Sequence, residues 1–454
     1  MGCAKIAIDC TATKMVSYTA LADLDLESKI VGEAKMYIQR FMDGLLAKAM
    51  KTSNSVLVTG PRQVGKSTMI SHVLPKLRYV TLDDPFVEEQ AKNDSRTFMQ
   101  LNPPPVAIDE VQHAPVLFRF IKIEADKNRR AKGLYCLSGS QPFQLMQGVS
   151  ESLSGRVRIL EMNGLSLREI TGDSFSERVL PTDEYVFSRS KTAKDPGPIW
   201  QIIHRGGYPE LQDSGVDWNS YYADYVKTYL ERDVRSLKAV HDLAAFRQFM
   251  VAAASRTAQV LNYSNIADEI GKDVGTVKSW VSILETSGII YLLQPYAASE
   301  LKRAIRAPKL HFRDMGLVAY LTRWLSAESL ACGAMAGAVF ESFVVSEILK
   351  SFSNAGLEYR DFVSYYRGRD KIAVQCDGQR VETESEIDLV IEENGVLYPI
   401  EIKKSSSPKA NDAAAFVALD KIKGKKRGQG AIVCNCAAPM HLRDNLLSMP
   451  VWYL

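Results

Sequence analysis

The residues whose types and spacing could do chemistry begin at Gly60-Pro61-Arg62-Gln63-Val64-Gly65-Lys66-Ser67, which fits G-x-x-x-x-G-K-[ST]. Each part of that pattern meets a need of a polyphosphate. Glycines let backbone N–H groups wrap the phosphate oxygens, and the helix that Thr68-Met69-Ile70 opens points its positive end at them. Lys66 neutralises charge on the β- and γ-phosphates, and Ser67 offers its hydroxyl to Mg²⁺. Gly60 through Thr68 are therefore candidate nucleotide contacts. A second element is Val106-Ala107-Ile108-Asp109-Glu110, an apolar strand ending in two carboxylates. Asp109 can hold Mg²⁺ through water, and Glu110 can orient or activate the attacking water. Alone, such an ending reads as a solvated acidic turn; with the loop at 60–67 the functional reading prevails.

Two further positions stay open. Leu137-Ser138-Gly139-Ser140-Gln141 ends a strand in small polar groups, which could contact the γ-phosphate or the lytic water, or could be a plain strand exit. Arg156 could supply charge to a neighbour's transition state, or could be a surface arginine.

A separate constellation lies near the C-terminal end. Asp388 sits in the strand Glu386 to Glu392, and Glu401-Ile402-Lys403 follows the turn Glu393-Asn394-Gly395. Alternation puts Glu401 and Lys403 on one face, and antiparallel pairing would bring Asp388 beside Glu401. Two carboxylates and a lysine, with Glu341 as a third acid from the preceding helix, can hold Mg²⁺ and activate water against a phosphodiester. The competing reading is a hairpin with solvated acids and a cross-strand ion pair.

These groups need elements to position them. Ser55-Val56-Leu57-Val58-Thr59, Tyr79-Val80-Thr81-Leu82, Val106-Ala107-Ile108 and Leu134-Tyr135-Cys136-Leu137 are short apolar strands separated by helical patterns, the first preceded by a helical pattern at 31–50. That alternation predicts an α/β domain with a parallel sheet covered on both faces. A polar stretch at 171–200 marks a composition shift, and 216–300 reads as mainly helical, with Tyr221 to Leu237 and Leu243 to Ala254 as helices. Within it, Tyr263 to Gly271 and Thr276 to Leu284 read as helix, turn, helix, with Ile289 to Leu293 following as a wing would. A helix over Ala338 to Phe352 then precedes strand-rich sequence.

At 454 residues the chain exceeds one core, and its 46% hydrophobic and 24% charged content suits a globular protein. A formal charge of +3 is too small to argue for nucleic acid. Seven scattered cysteines suggest a reducing compartment, and no apolar run reaches the roughly 20 residues of a bilayer span. A cytoplasmic protein without a membrane partner is the expectation. Lys278 is the main cation on the second helix of the helix-turn-helix pattern, so DNA contact there stays open. Lys302, Arg303, Arg306 and Lys309 read as a solvated basic strip, and Lys421 to Arg427 as a charged loop rather than a phosphate grip.

GPRQVGKS, YVTLDDP, VAIDEVQ, LSGSQ and ESLSGRVRILEMNGLSLREI together resemble a prokaryotic family of AAA+ ATPases with a winged-helix region and a C-terminal restriction-endonuclease-like domain. The resemblance continues through Gly206 to Glu210, Tyr229 to Val234 and Pro308 to Leu317, and covers about 35–454. It implies an AAA+ core at 35–170, a helical lid or linker at 171–240, a winged-helix-like region at 241–330 and a PD-(D/E)xK nuclease-like domain at 336–454, behind a leader at 1–34. It also implies that Ser140 or Gln141 holds the sensor position, and that Arg156 is a candidate finger acting in trans within a homo-oligomer. ATP rather than GTP rests on the resemblance, since no N-K-x-D motif is present. The function expected is Mg²⁺-dependent ATP hydrolysis coupled to the other two regions. The alternatives are a metal-dependent DNA endonuclease with nucleotide as a switch, and a nucleotide-binding adaptor.

Overall fold

The computed structural model describes residues 37–140, 155–229, 234, 240, 242–297, 307–376 and 379–454, excluding the side chains of 369–384. The first helix among the described residues, α1 (Phe41–Thr52), leads into a five-stranded sheet. The strands are β1 (Ser55–Thr59), β2 (Arg78–Thr81), β3 (Val106–Asp109), β4 (Tyr135–Gly139) and β5 (Val157–Glu161), in the order β2-β3-β4-β1-β5 and all parallel. Parallel strands leave the sheet at one edge, so the segments after Thr59, Asp109 and Gly139 emerge together. β1 is buried on both faces: Val56 and Val58 enter the main core, and Leu57 enters a second cluster with Phe98, Ile108, Phe118 and Leu137. This double burial is why the strands read as apolar runs rather than alternating ones. The helix expected from 31 begins among the described residues only at Phe41, after the extended Arg40.

After α2 (Lys66–Val73) and α3 (Leu167–Thr171), the middle of the chain contains α4 (Trp218–Thr228), capped by Asp217, and α5 (Leu243–Ala254). The helix expected from Tyr221 to Leu237 is thus described from Trp218 to Thr228, and most of its second half lies outside the described residues. α6 (Tyr263–Ile270) ends at Gly271, whose φ of 64° closes the helix in the left-handed conformation, and Asp273 caps α7 (Val274–Thr286). A small antiparallel sheet comes next in the order β6-β8-β7, from β6 (Gln259–Val260), β7 (Ile290–Leu293) and β8 (Lys309–Phe312).

The long buried α8 (Ala336–Asn354) then packs on a seven-stranded mixed sheet of β9 (Val363–Cys376), β10 (Gln379–Glu393), β11 (Val396–Lys403), β12 (Lys426–Arg427), β13 (Gly430–Cys434), β14 (Met440–Arg443) and β15 (Leu446–Pro450). Asn394 and Gly395 have φ of 50° and 79°, the paired left-handed residues of a two-residue hairpin turn. That turn fixes the register Leu389↔Ile400, which sets Asp388 opposite Glu401. Among the described residues no helix is long and apolar enough to cross a membrane.

Candidate functional site

The loop after β1 is shaped by left-handed backbone conformations that favour glycine. Gly60 has φ 143°, and a Cβ there would lie 2.1 Å from the Met162 carbonyl oxygen. Gly65 starts α2 with φ 92°, and Gln63 is also left-handed at φ 60°. Lys66, buried, donates from Nζ to the carbonyls of Gly60 at 3.1 Å and Pro61 at 2.7 Å. A cavity of about 650 Å³ opens over Arg62, Gln63, Gly65, Lys66, Ser67 and Thr68, and reaches Glu110, Ser140 and Thr228. The sheet brings Glu110 to the cavity wall and Asp109 onto Ser67 of the loop. Ser67 Oγ donates to Asp109 Oδ2 at 2.9 Å, and Ser138 Oγ donates to Oδ1. Glu110 stands at φ 53°, a left-handed conformation uncommon for a glutamate and costing about 1 kcal/mol or more. It accepts from the Ser140 backbone N–H at 3.3 Å, from Ser140 Oγ at 3.1 Å and from Gln112. Gln141, the alternative sensor, lies outside the described residues.

Three contributors were not assigned roles from sequence. Tyr79 on β2 donates its hydroxyl to Asp109 Oδ2 at 2.5 Å; burial, then the Asp109 hydrogen bond, raises its pKa. Thr228 reaches the cavity from the end of α4. Arg40 is nearly inaccessible and anchors the loop from behind: Nη1 donates to the Val64 carbonyl at 2.9 Å, Nη2 to the Asn163 carbonyl at 2.6 Å, and Nε to Glu169 at 3.0 Å. The only advance signal was the position of Tyr79 in YVTLDDP; Arg40 carried none, since the sequence pattern placed it inside a helix.

Arg156 is not brought to this cavity. It immediately precedes β5, whose Val157 pairs with Ser55 at the start of β1, so it lies at the opposite edge of the sheet, about 16 Å of strand away. There it pairs with Asp126 at 2.7 Å beside a cavity of about 740 Å³ that Arg129, Lys132 and Arg158 also line.

The middle region touches the phosphate loop directly. A Cβ on Gly288, which follows α7, would meet Pro61 at 2.7 Å. Arg313 ion-pairs with Glu161 and donates to Asn163 Oδ1 at 2.8 Å. The Gly206–Glu210 and Pro308–Leu317 motifs meet each other: Asp314 accepts from the Gly207 N–H at 2.7 Å and from Tyr222 at 2.6 Å.

The C-terminal constellation also converges. Asp388, Glu401 and Glu341 are mutually close enough to repel, and Lys403 donates to Glu401 Oε1 at 2.6 Å. Burial, then Asp388, pushes both Glu341 and Glu401 well above the ordinary carboxylate range. Asp388 Oδ2 accepts from the Ile402 N–H at 2.9 Å, while the buried Glu401 Oε2 has no hydrogen-bond partner. Two members were not foreseen, Glu386 and Lys309. Lys309 corrects the expectation of a solvated basic strip: it is 2% exposed, and contacts Glu386 at 2.6 Å, Glu341 at 3.2 Å and Asp388 at 3.6 Å. Lys302, Arg303 and Arg306 lie outside the described residues. With lysines drawn onto the acids, no three His, Cys, Asp or Glu side chains among the described residues are set around one point as ligands. In the segment 421–427, where a charged loop was expected, Lys426 and Arg427 instead form β12; Lys425 pairs with Glu392 and Arg427 with Asp420.

Three family models match parts of the chain. Residues 52–171 match the family described as an AAA domain, residues 198–328 a domain of unknown function (DUF8612), and residues 336–454 a domain of unknown function (DUF4143). Uncharacterized proteins of Mycobacterium tuberculosis and Mycobacterium bovis are each 26% identical over 378 residues, covering 83% of this chain and 76% of theirs. Among solved structures, a Walker-type ATPase of Pyrococcus abyssi has 15% identity, covers 63% of this chain and 96% of its own, and gives a TM-score of 0.41. A RuvB variant of Thermotoga maritima has 14% identity, covers 55% and 87%, and gives a TM-score of 0.27. The AAA-domain match and the loop geometry support ATP binding and hydrolysis by the first region.

Proposed function

We propose that this chain is a Mg²⁺-dependent AAA+ ATP hydrolase whose nucleotide lies across Gly60–Thr68. The observation that carries this reading is the joining of Ser67 and Asp109 at 2.9 Å on a cavity that Lys66 and Glu110 share. Lys66 exchanges its bonds to the Gly60 and Pro61 carbonyls for phosphate oxygens, and the backbone N–H groups of the loop hold the rest. Mg²⁺, held by Ser67 and Asp109, would offset phosphate charge. Glu110, steadied by Ser140 and Gln112, orients the attacking water and takes its proton. ATP is preferred to GTP on the AAA-domain match.

Arg156 completes the site of a second copy in a homo-oligomer; its position at the far edge of the sheet suits a finger acting in trans. If so, R156A and K66A proteins, each inactive, regain turnover when mixed. The middle region is read as a winged-helix unit and 336–454 as a restriction-endonuclease-like unit, coupled to nucleotide through the Gly288–Pro61 and Arg313–Glu161 contacts. DNA is the proposed partner of α7, on which Lys278 is exposed. A second reading, metal-dependent phosphodiester cleavage, is favoured by the convergence of Glu341, Asp388, Glu401 and Lys403, and the partnerless Glu401 Oε2 suits a cation there.

Steady-state ATP hydrolysis, with and without DNA, tests the first reading. K66A and E110Q should each lower kcat by about 100-fold or more while D388N leaves it unchanged. Turnover that survives in K66A would refute it.

A further inference from the structure

We propose that Lys309 stands in for a divalent cation at the Glu341–Asp388–Glu401 cluster, so that the cluster excludes metal while β8 is docked. This rests on reading the cluster as a cation site, and goes beyond that reading by naming what holds it shut.

The lysine and the acids come from different parts of the chain. Lys309 begins β8, which pairs with β7 and β6 in the small sheet, whereas Glu341 belongs to α8 and Glu386 and Asp388 to β10. Its side chain is 3% exposed, and its ammonium meets all three carboxylates. Burial opposes its charge, but Glu341, Asp388 and Glu386 outweigh that and raise its pKa, so it remains a cation. An ammonium offers three N–H donors from one side and cannot gather carboxylates around itself as a divalent ion does. One acceptor is accordingly left over: Glu401 Oε2 is buried without a partner, because Lys403 takes only Oε1. An orphaned carboxylate oxygen in a lysine-filled acid cluster is what remains when a compact monovalent group occupies a site with ligands for a larger charge.

β8 is held in place independently of the acids. His311 Nδ1 lies 3.0 Å from Ser342 Oγ on α8, and Arg313, just past the strand, is tied to Glu161 and Asn163 beside the phosphate loop. Undocking β8 is therefore the step that removes Lys309 and opens the cluster.

The test uses nucleotide-free full-length protein and Mn²⁺ alone, read by electron paramagnetic resonance and by the Mn²⁺-dependent shift in Tm. Wild type and K309R, which keeps the charge, should show no binding that depends on Asp388. K309Q should bind Mn²⁺ at least about 10-fold more tightly than wild type and gain Tm with added metal, and D388N in that background should erase both effects. E386Q removes the nearest contact of Lys309, from a carboxylate 38% exposed, and leaves Glu341, Asp388 and Glu401 in place. It should show an intermediate gain, and it keeps the test decisive where K309Q fails to fold. Asp388-dependent Mn²⁺ binding by wild type as tight as that of K309Q or E386Q would overturn the role of Lys309 while sparing the cation site. No Mn²⁺ binding by either variant would overturn both.

Discussion

Replacing Arg40 by Met should damage the phosphate site from a residue that never touches phosphate. The guanidinium makes three bonds inside the protein: to the Val64 carbonyl, the Asn163 carbonyl and Glu169. Met fills similar space but leaves both carbonyls without their donor. Glu169 stays hydrogen-bonded, accepting from the backbone N–H groups of Phe41 at 3.0 Å and Ser166 at 2.8 Å and from Ser166 Oγ at 3.0 Å, so its loss is the counter-charge alone. Bonds to a charged donor contribute about 1.5–3 kcal/mol each, but breaking a buried pair from one side costs about 3–5 kcal/mol in total, because the losses overlap. We expect about 4 kcal/mol, a large part of a typical folding free energy. Because Val64 lies within the phosphate loop, ATP affinity should also fall, by about tenfold, with R40K between the two proteins. Urea unfolding with linear extrapolation gives the first quantity and ATP titration the second. A stability change under about 1 kcal/mol together with unchanged affinity would refute the anchoring argument.

Other outcomes stem from the same geometry. Y79F removes a hydroxyl from Asp109 and should reduce Mg²⁺-dependent turnover by about 3- to 10-fold, measured as kcat over a Mg²⁺ series; an unchanged value would make Tyr79 a bystander. G288A puts a Cβ 2.7 Å from Pro61 at a left-handed position, and should cost about 1–2 kcal/mol in denaturant melts and raise KM for ATP. Glu341 and Glu401 have folded pKa values raised above the unfolded value of about 4.3, so the folded state binds more protons and their contribution is most favourable at low pH. It should decline as pH rises above that value, on the order of 1 kcal/mol per pH unit, and E401Q should flatten the decline in a Tm-against-pH series.

The geometry of the candidate phosphate site was legible because its members lie in two short local patterns, and strand polarity brings those patterns together. The loop needs glycine at positions 60 and 65 for backbone reasons, and Asp109 ends a strand parallel to β1, one strand removed. The Asp388–Glu401 pairing was legible for the same reason, since Asn394-Gly395 dictates the hairpin register. Lys309 was misread because Lys-Leu-His-Phe alternates as a strand with one polar face, and a polar face is ordinarily wet. Here that face packs on α8 and β10, a contact between segments far apart in the chain that periodicity does not encode. Arg40 and Thr228 escaped for a related reason: common residue types on distant elements acquire a role only through the path of the chain. The far-edge position of Arg156 is implied by its place before a parallel strand, but a role there depends on a second copy.

The most direct measurement is calorimetric binding of Mg·ATP to wild type, K66A and E110Q. Wild type and E110Q should bind at one site with similar affinity, because Glu110 acts on water rather than on the bound nucleotide. K66A should bind at least about tenfold more weakly. K66A binding as tightly as wild type would place the nucleotide elsewhere and contradict the account.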